Sequence, residues 1–267
     1  MNKALYLKEL KRNRKNALIW GSIVLGFTLM ILSIYPSFAE MGEQMALLMS
    51  KMPQEMARAF GIDDETWSSI IGFYATYYGI YITLLMGIFT SSTGATILGK
   101  EERDGTAEFL LTRPISRASI VDSKYAALLT LLLLIYVIQT LCAVGGILAF
   151  GTAVDWDVFT AMHVHGIVLV GFFTAISVLL ASFVSPKVNF MGPVVGLIFG
   201  SYFLDAISKA TDAVKFLGYI SPYHYLQLQA QGGVLEVNWA ASFGLLVIAV
   251  VALWVARARY LQRDVTG

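Results

Sequence analysis

Residues 125–150 read YAALLTLLLLIYVIQTLCAVGGILAF, 26 consecutive residues without a charge. About 20 apolar residues wound as a helix cross the roughly 30 Å of hydrocarbon in a bilayer. A membrane β-strand would alternate apolar and polar side chains, and this run does not. The segment therefore predicts a transmembrane α-helix. Outward from it, five more stretches have comparable length and apolarity: 17–35, 70–98, 163–184, 188–207 and 239–256. The stretch 70–98 is longer than a span needs, which predicts tilt or projection beyond the lipid.

Composition agrees with an integral membrane protein. Of 267 residues, 57% are hydrophobic and 14% charged, and the mean hydropathy is +0.68. A soluble domain carries about 45–50% apolar and about 25% charged residues. Disorder, collagen and coiled-coil repeats are excluded on the same grounds. A lone cysteine, Cys142, excludes a disulfide framework and a multi-thiolate metal site. The longest connection, 36–69, is far short of the roughly 100 contiguous residues a soluble catalytic domain requires. The expected architecture is all-α, with six spans in a single domain over 1–267.

Orientation follows from the cations. Of the 19 lysines and arginines, 15 lie in residues 1–16, in the connection 99–124, at Lys187, and in the tail at Arg257, Arg259 and Arg263. The other side holds Lys51, Arg58, Lys209 and Lys215. Both termini are expected to be cytoplasmic. A signal peptide competes for the first segment, because Ser37-Phe38-Ala39 has the small-x-small form of a cleavage site. Its apolar run of 19 residues exceeds the roughly 7–15 usual for a signal, so an anchor is expected. Leu5, Leu7 and Leu10 alternate with six basic residues in 2–15. This pattern predicts an amphipathic helix over 1–16 lying in the headgroup layer. The same cations would also serve as a plain orientation signal.

The connection 100–124 reads KEERDGTAEFLLTRPISRASIVDSK. Asp104-Gly105 breaks it, Thr106 to Thr112 can form a short helix before Pro114, and Ser116 can cap the helix that enters the third span. Phe109, Leu110 and Leu111 would lie adjacent on a polar loop, where they require a cover: lipid headgroups, the bundle or a partner.

The string E-E-R-D-G-T-A-E-F-L-L-T-R-P-I-S-R, Glu101 to Arg117, resembles the cytoplasmic signature of ABC-2 type transporter permeases. The layout resembles that family throughout: a basic amphipathic N-terminus, six spans, and this signature between spans two and three. The resemblance implies that 99–124 is a coupling region docking on a separate cytoplasmic ATPase. Glu101, Gly105, Thr106, Glu108, Phe109, Leu110 and Leu111 would form or support the docking element, and Arg113, Pro114 and Arg117 the turn behind it. It further implies two permease subunits, a prokaryotic plasma (inner) membrane, and ATP with Mg held by the partner. This chain itself is expected to bind no cofactor, metal or nucleic acid and to perform no catalysis.

Other features carry paired readings. Gly94-Ala95-Thr96-Ile97-Leu98-Gly99-Lys100 matches the phosphate-loop spacing, but Glu101 stands where a magnesium-holding Ser or Thr belongs, and the string ends a span instead of following a strand. Gly192, Gly196 and Gly200 suit close helix approach, within a subunit or across a dimer seam, and the resemblance favours the seam. Tyr74, Tyr77, Tyr78 and Tyr81 share one helical face and would serve as a substrate path or as an interfacial belt. Met41, Met45, Met49, Met52 and Met56 form a stripe suited to Cu(I) or to lipid and amphipathic cargo. The neighbouring acids Glu40, Glu43, Glu55, Asp63, Asp64 and Glu65 read as a solvated face. His163 and His165 lack a third ligand and read as an interfacial pair.

Residues 209–238 are semi-apolar and proline-broken. The family places a re-entrant hairpin here, and the residues alone also permit a plain loop. The expected function is that of the permease subunit of an ATP-driven exporter with a hydrophobic or amphipathic cargo. The alternatives are an autonomous secondary transporter or an ion- or copper-handling protein without an ATPase, for which midplane charges or internal repeats would speak.

Overall fold

The computed structural model of the chain describes residues 1–40, 47, 51–53, 55–56, 69–151, 154–225 and 238–263. Helix α1 spans Lys3–Glu40. Ile70–Tyr77 (α2), a π-helical turn at Tyr78–Ile82 and Thr83–Ile97 (α3) together make the second span. Two short helices follow, Lys100–Arg103 (α4) and Ala107–Leu111 (α5). The third, fourth and fifth spans are Arg117–Ala149 (α6), Trp156–Ala181 (α7) and Met191–Ala210 (α8). A 3₁₀ segment, Asp212–Ile220, and the short helix Pro222–Tyr225 (α9) precede the sixth span, Trp239–Gln262 (α10). Among the described residues six helices are long and apolar enough to cross a membrane.

Helix ends obey local chemistry. Ser116 accepts a hydrogen bond from the Ser119 N–H at 3.2 Å and starts the third span. Gly151, with φ +65°, ends it in the left-handed conformation that glycine adopts without steric cost. Asp155 accepts from the Asp157 and Val158 N–H groups, both at 3.1 Å, and caps the fourth span. Asn238 accepts from Ala241 at 2.9 Å and caps the sixth.

Two elements differ from the sequence expectation. The basic N-terminal stretch is not a separate surface helix. α1 runs unbroken for 38 residues, about 57 Å at 1.5 Å per residue. The change from cations to apolar residues at Asn16-Ala17 alters the environment the helix crosses, while no glycine or proline interrupts it there. The fourth span begins at Trp156 instead of 163, because Asp155 caps two additional turns. His163 and His165 consequently sit inside the bundle, buried, and are not an interfacial pair.

The second span is the most buried of the six and forms the centre of the packing. It contacts the fourth span most extensively, and also the first, third and fifth. At its π-turn the Thr83 hydroxyl donates to the Gly79 carbonyl at 2.7 Å. After Ala210 the chain folds back along the fifth span. The Ser221 hydroxyl donates to the Ser201 carbonyl at 2.7 Å. Ser221 is therefore level with a residue nine positions before the helix end, a return of about 13 Å. Residues 226–237, the remainder of this connection, lie outside the described residues.

Candidate functional site

The connection between the second and third spans is held by charge pairs at the bundle's basic end. Lys124, fully buried, donates to the Ile97 carbonyl at the end of α3 and to the Glu101 carboxylate. A cation there satisfies a helix C-terminus and pairs with the acid in one place. Arg12 of α1 reaches Glu101 at 3.3 Å and also bonds Asp104. Arg263, just past α10, pairs with Glu102 at 2.5 Å, and its own carbonyl accepts from Arg117 at 2.7 Å. Lys100 donates to Asn13 at 3.3 Å. Its burial, and then the Arg12 guanidinium nearby, hold the Lys100 ammonium below the usual lysine range.

Glu101 is therefore a buried anchor for the segment. It is the buried member of the expected set of ATPase-coupling residues. Gly105, at φ +67°, makes the reversal that a side chain would strain. The Thr106 N–H then bonds the Glu101 carbonyl at 2.8 Å, and α5 begins.

On α5, Leu110 turns inward and is 7% exposed, packed with Leu5, Ile115 and Ile120. Of the covers open to these residues, Leu110 takes the bundle, and one helical step of 100° separates it from Phe109. Phe109 faces out, 63% exposed, with the Arg113 guanidinium 4.6 Å from its ring centroid. Thr106, Glu108, Arg113 and Pro114 are exposed around it, and Leu111 closes the helix. The result is a protruding aromatic on a short helix that rests on α1 and α6.

The phosphate-loop spacing has a packing explanation. Gly94 is a mid-helix glycine whose Cβ would lie 2.9 Å from Val178, and a Cβ at Gly99 would lie 2.7 Å from Pro186. Of the tyrosines, Tyr74 and Tyr78 are completely buried within the protomer. Gln139 donates to the Tyr74 hydroxyl at 2.7 Å, while Tyr78 bonds Tyr136. These two neither form a belt nor line an open path. Tyr81 is exposed, Tyr77 half-buried, and their rings stack at 5.9 Å.

Gly192, Gly196 and Gly200 have no heavy atom within 4 Å of an added Cβ. Packing inside one subunit therefore does not explain their spacing. Met41, Met45, Met49, Glu43, Asp63, Asp64 and Glu65 lie outside the described residues; Met56 is exposed and Met52 half-buried. Among the described residues no group of three or more His, Cys, Asp or Glu side chains is placed to hold a metal.

One feature escaped the sequence reading. Asp205, on the fifth span, is buried and paired with Lys209 at 2.7 Å. The legible signal was an acid inside the apolar run followed by a base four residues later.

Six apolar helices packed around a buried second one, with a short helix exposed at the basic end, define a multi-pass membrane protein. Residues 3–265 match the ABC-2 family transporter protein family, and the chain belongs to that family. A stretch of 87 residues, 31% of this chain, is 37% identical to "Uncharacterized protein YhcI" of Bacillus subtilis (strain 168). That match covers 26% of the relative's length, about a quarter of it.

Proposed function

We propose that this chain is the permease subunit of an ATP-driven exporter, working as a homodimer with two copies of a separate cytoplasmic ATPase. Both termini and the Ala107–Leu111 helix would then face the cytoplasm of a prokaryotic cell. The observation that carries this reading is Phe109, a large apolar side chain projecting from a segment anchored to the bundle through Glu101 and Leu110. Burying such a ring is worth about 1.5–3 kcal/mol. That gain is available to a partner with a matching groove and unavailable within the protomer.

Closure of the ATPases on ATP would push on α5. The Arg12, Lys124 and Arg263 pairs would pass the push to the first, third and sixth helices as one body. Cargo is proposed to be hydrophobic or amphipathic, moving between the two bundles. The residues of this chain position and transmit; hydrolysis would occur on the partner with its own ATP and Mg.

The test is affinity purification of the tagged chain in mild detergent with quantitative mass spectrometry. The expected result is a nucleotide-binding protein at about one copy per permease. Phe109→Asp is expected to abolish that association without affecting membrane insertion. Reproducible absence of any ATPase from intact wild-type preparations would overturn the exporter reading in favour of an autonomous carrier.

A further inference from the structure

Asp205 lies among unpartnered polar atoms at the junction of the second span, the fifth span and the fold-back that follows it. Three buried side-chain atoms there make no hydrogen bond among the described residues: Asp205 Oδ1, Tyr202 Oη and His224 Nδ1. Tyr202, Asp205 and Tyr223 are 8%, 5% and 5% exposed. His224 Nδ1 is 3.6 Å from Asp205 Oδ1, beyond hydrogen-bonding distance. The Tyr223 hydroxyl bonds Thr83, midway along the second span, whose own proton goes to Gly79. Each orphaned buried group costs on the order of 1–3 kcal/mol, so several in one place mark a site completed by something else. A buried acid on an apolar spanning helix is a marker of a functional site for the same reason.

The chemistry of the cluster selects its ligand. One of its atoms is a carboxylate oxygen, which repels an anion, while the tyrosine hydroxyls can either donate or accept. The walls are aromatic: Tyr202 and Tyr223 meet edge to face at 5.7 Å, and Phe173 lies 5.7 Å from Tyr223. Aromatic faces attract cations. The other carboxylate oxygen, Oδ2, is held by Lys209, whose side chain is partly exposed and can swing into water at small cost.

We propose that this cluster binds the ammonium head of a cationic amphiphile, and that Lys209 occupies its place on Asp205 when no ligand is bound. The hydrophobic part of the ligand would extend along the lipid-facing surface. The inference names the cargo class within the exporter reading above and rests on that reading for the ligand's role as cargo.

Isothermal titration calorimetry on the full chain in lipid nanodiscs, with any ATPase that co-purifies, tests it without ATP. The probe is 2-phenylethylammonium, with 2-phenylethanol as the uncharged control. Saturable binding of the ammonium is expected. Asp205→Asn should weaken it at least tenfold, Tyr223→Phe severalfold, and Lys209→Gln should tighten it by removing the internal competitor. Binding of the alcohol should not respond to either charge change.

No saturable binding to the wild type, or an unchanged affinity in Asp205→Asn, overturns the proposal. Should Asp205→Asn aggregate on size exclusion, Lys209→Gln decides: unchanged or weaker binding overturns it. A chain that captures an ATPase but ignores the amine keeps the exporter reading and loses this site. One that binds the amine without an ATPase does the reverse.

Discussion

Lys124 shows how single residues fix the site. Its ammonium is buried between the Ile97 carbonyl at the end of α3 and the Glu101 carboxylate. Removing one member of a buried ion pair leaves the other desolvated and uncompensated, at a cost of about 3–5 kcal/mol. Lys124→Met should therefore lower the detergent-solubilised melting temperature markedly. Glu101 keeps Arg12, so the loss belongs at the lower end of that range. The double variant Lys124→Met/Glu101→Leu should recover part of the stability, since no orphaned acid remains. A double variant less stable than Lys124→Met would disprove the pairing. Gly166 gives a steric counterpart. A Cβ there would lie 2.0 Å from the Tyr78 hydroxyl and 2.9 Å from that of Tyr136. Overpacking of this kind costs about 1–3 kcal/mol. Gly166→Ala should destabilise by that amount in thermal unfolding, and Tyr78→Phe should rescue it in part by shortening the offending side chain.

At the scale of elements, the structure joins what the sequence separates. Six spans are legible because uninterrupted apolar runs have one cheap conformation in lipid, a helix with all its backbone bonds internal. The Ser116 cap and the stop at Pro114 are legible for equally local reasons. The continuity of α1 is not, because the Asn16-Ala17 boundary changes polarity and leaves backbone conformation untouched. Nor is the division of labour on α5, where Leu110 faces inward only because Leu5 and Ile120 meet there. The fold-back at Ser221 and the burial of Asp205 depend on neighbours distant in sequence and share this limit. The α1 arrangement has a direct check. In a Cys142→Ser background, Leu5→Cys/Ile120→Cys should crosslink efficiently with a short bis-maleimide. An N-terminal helix splayed into the headgroup plane would give no intramolecular product. The Asn2 N–H bond to the Ser123 hydroxyl, 2.7 Å, supports the same register.

For the whole molecule, the fifth span carries two opposite faces. Val194, Ile198, Tyr202 and Asp205 are buried toward the bundle, whereas Gly192, Gly196 and Gly200 open outward beside Phe199 and Phe203. Small residues four apart let a second backbone approach closely, and in lipid that packing supplies much of the association energy. A homodimer formed through this face would place each Asp205 cluster one helix diameter from the seam. Motion at the seam would then act directly on the polar site. Gly196→Leu fills the centre of the glycine face and should convert dimers into monomers, read by native mass spectrometry of protein released from nanodiscs. Gly145→Leu is the matched control, an open glycine on the third span with no heavy atom within 4 Å of an added Cβ. It should leave the dimer intact. Monomers from Gly145→Leu and dimers from Gly196→Leu would move the seam to the third span. A monomeric wild type would remove the dimer from the mechanism and leave α5 to act on a single bundle.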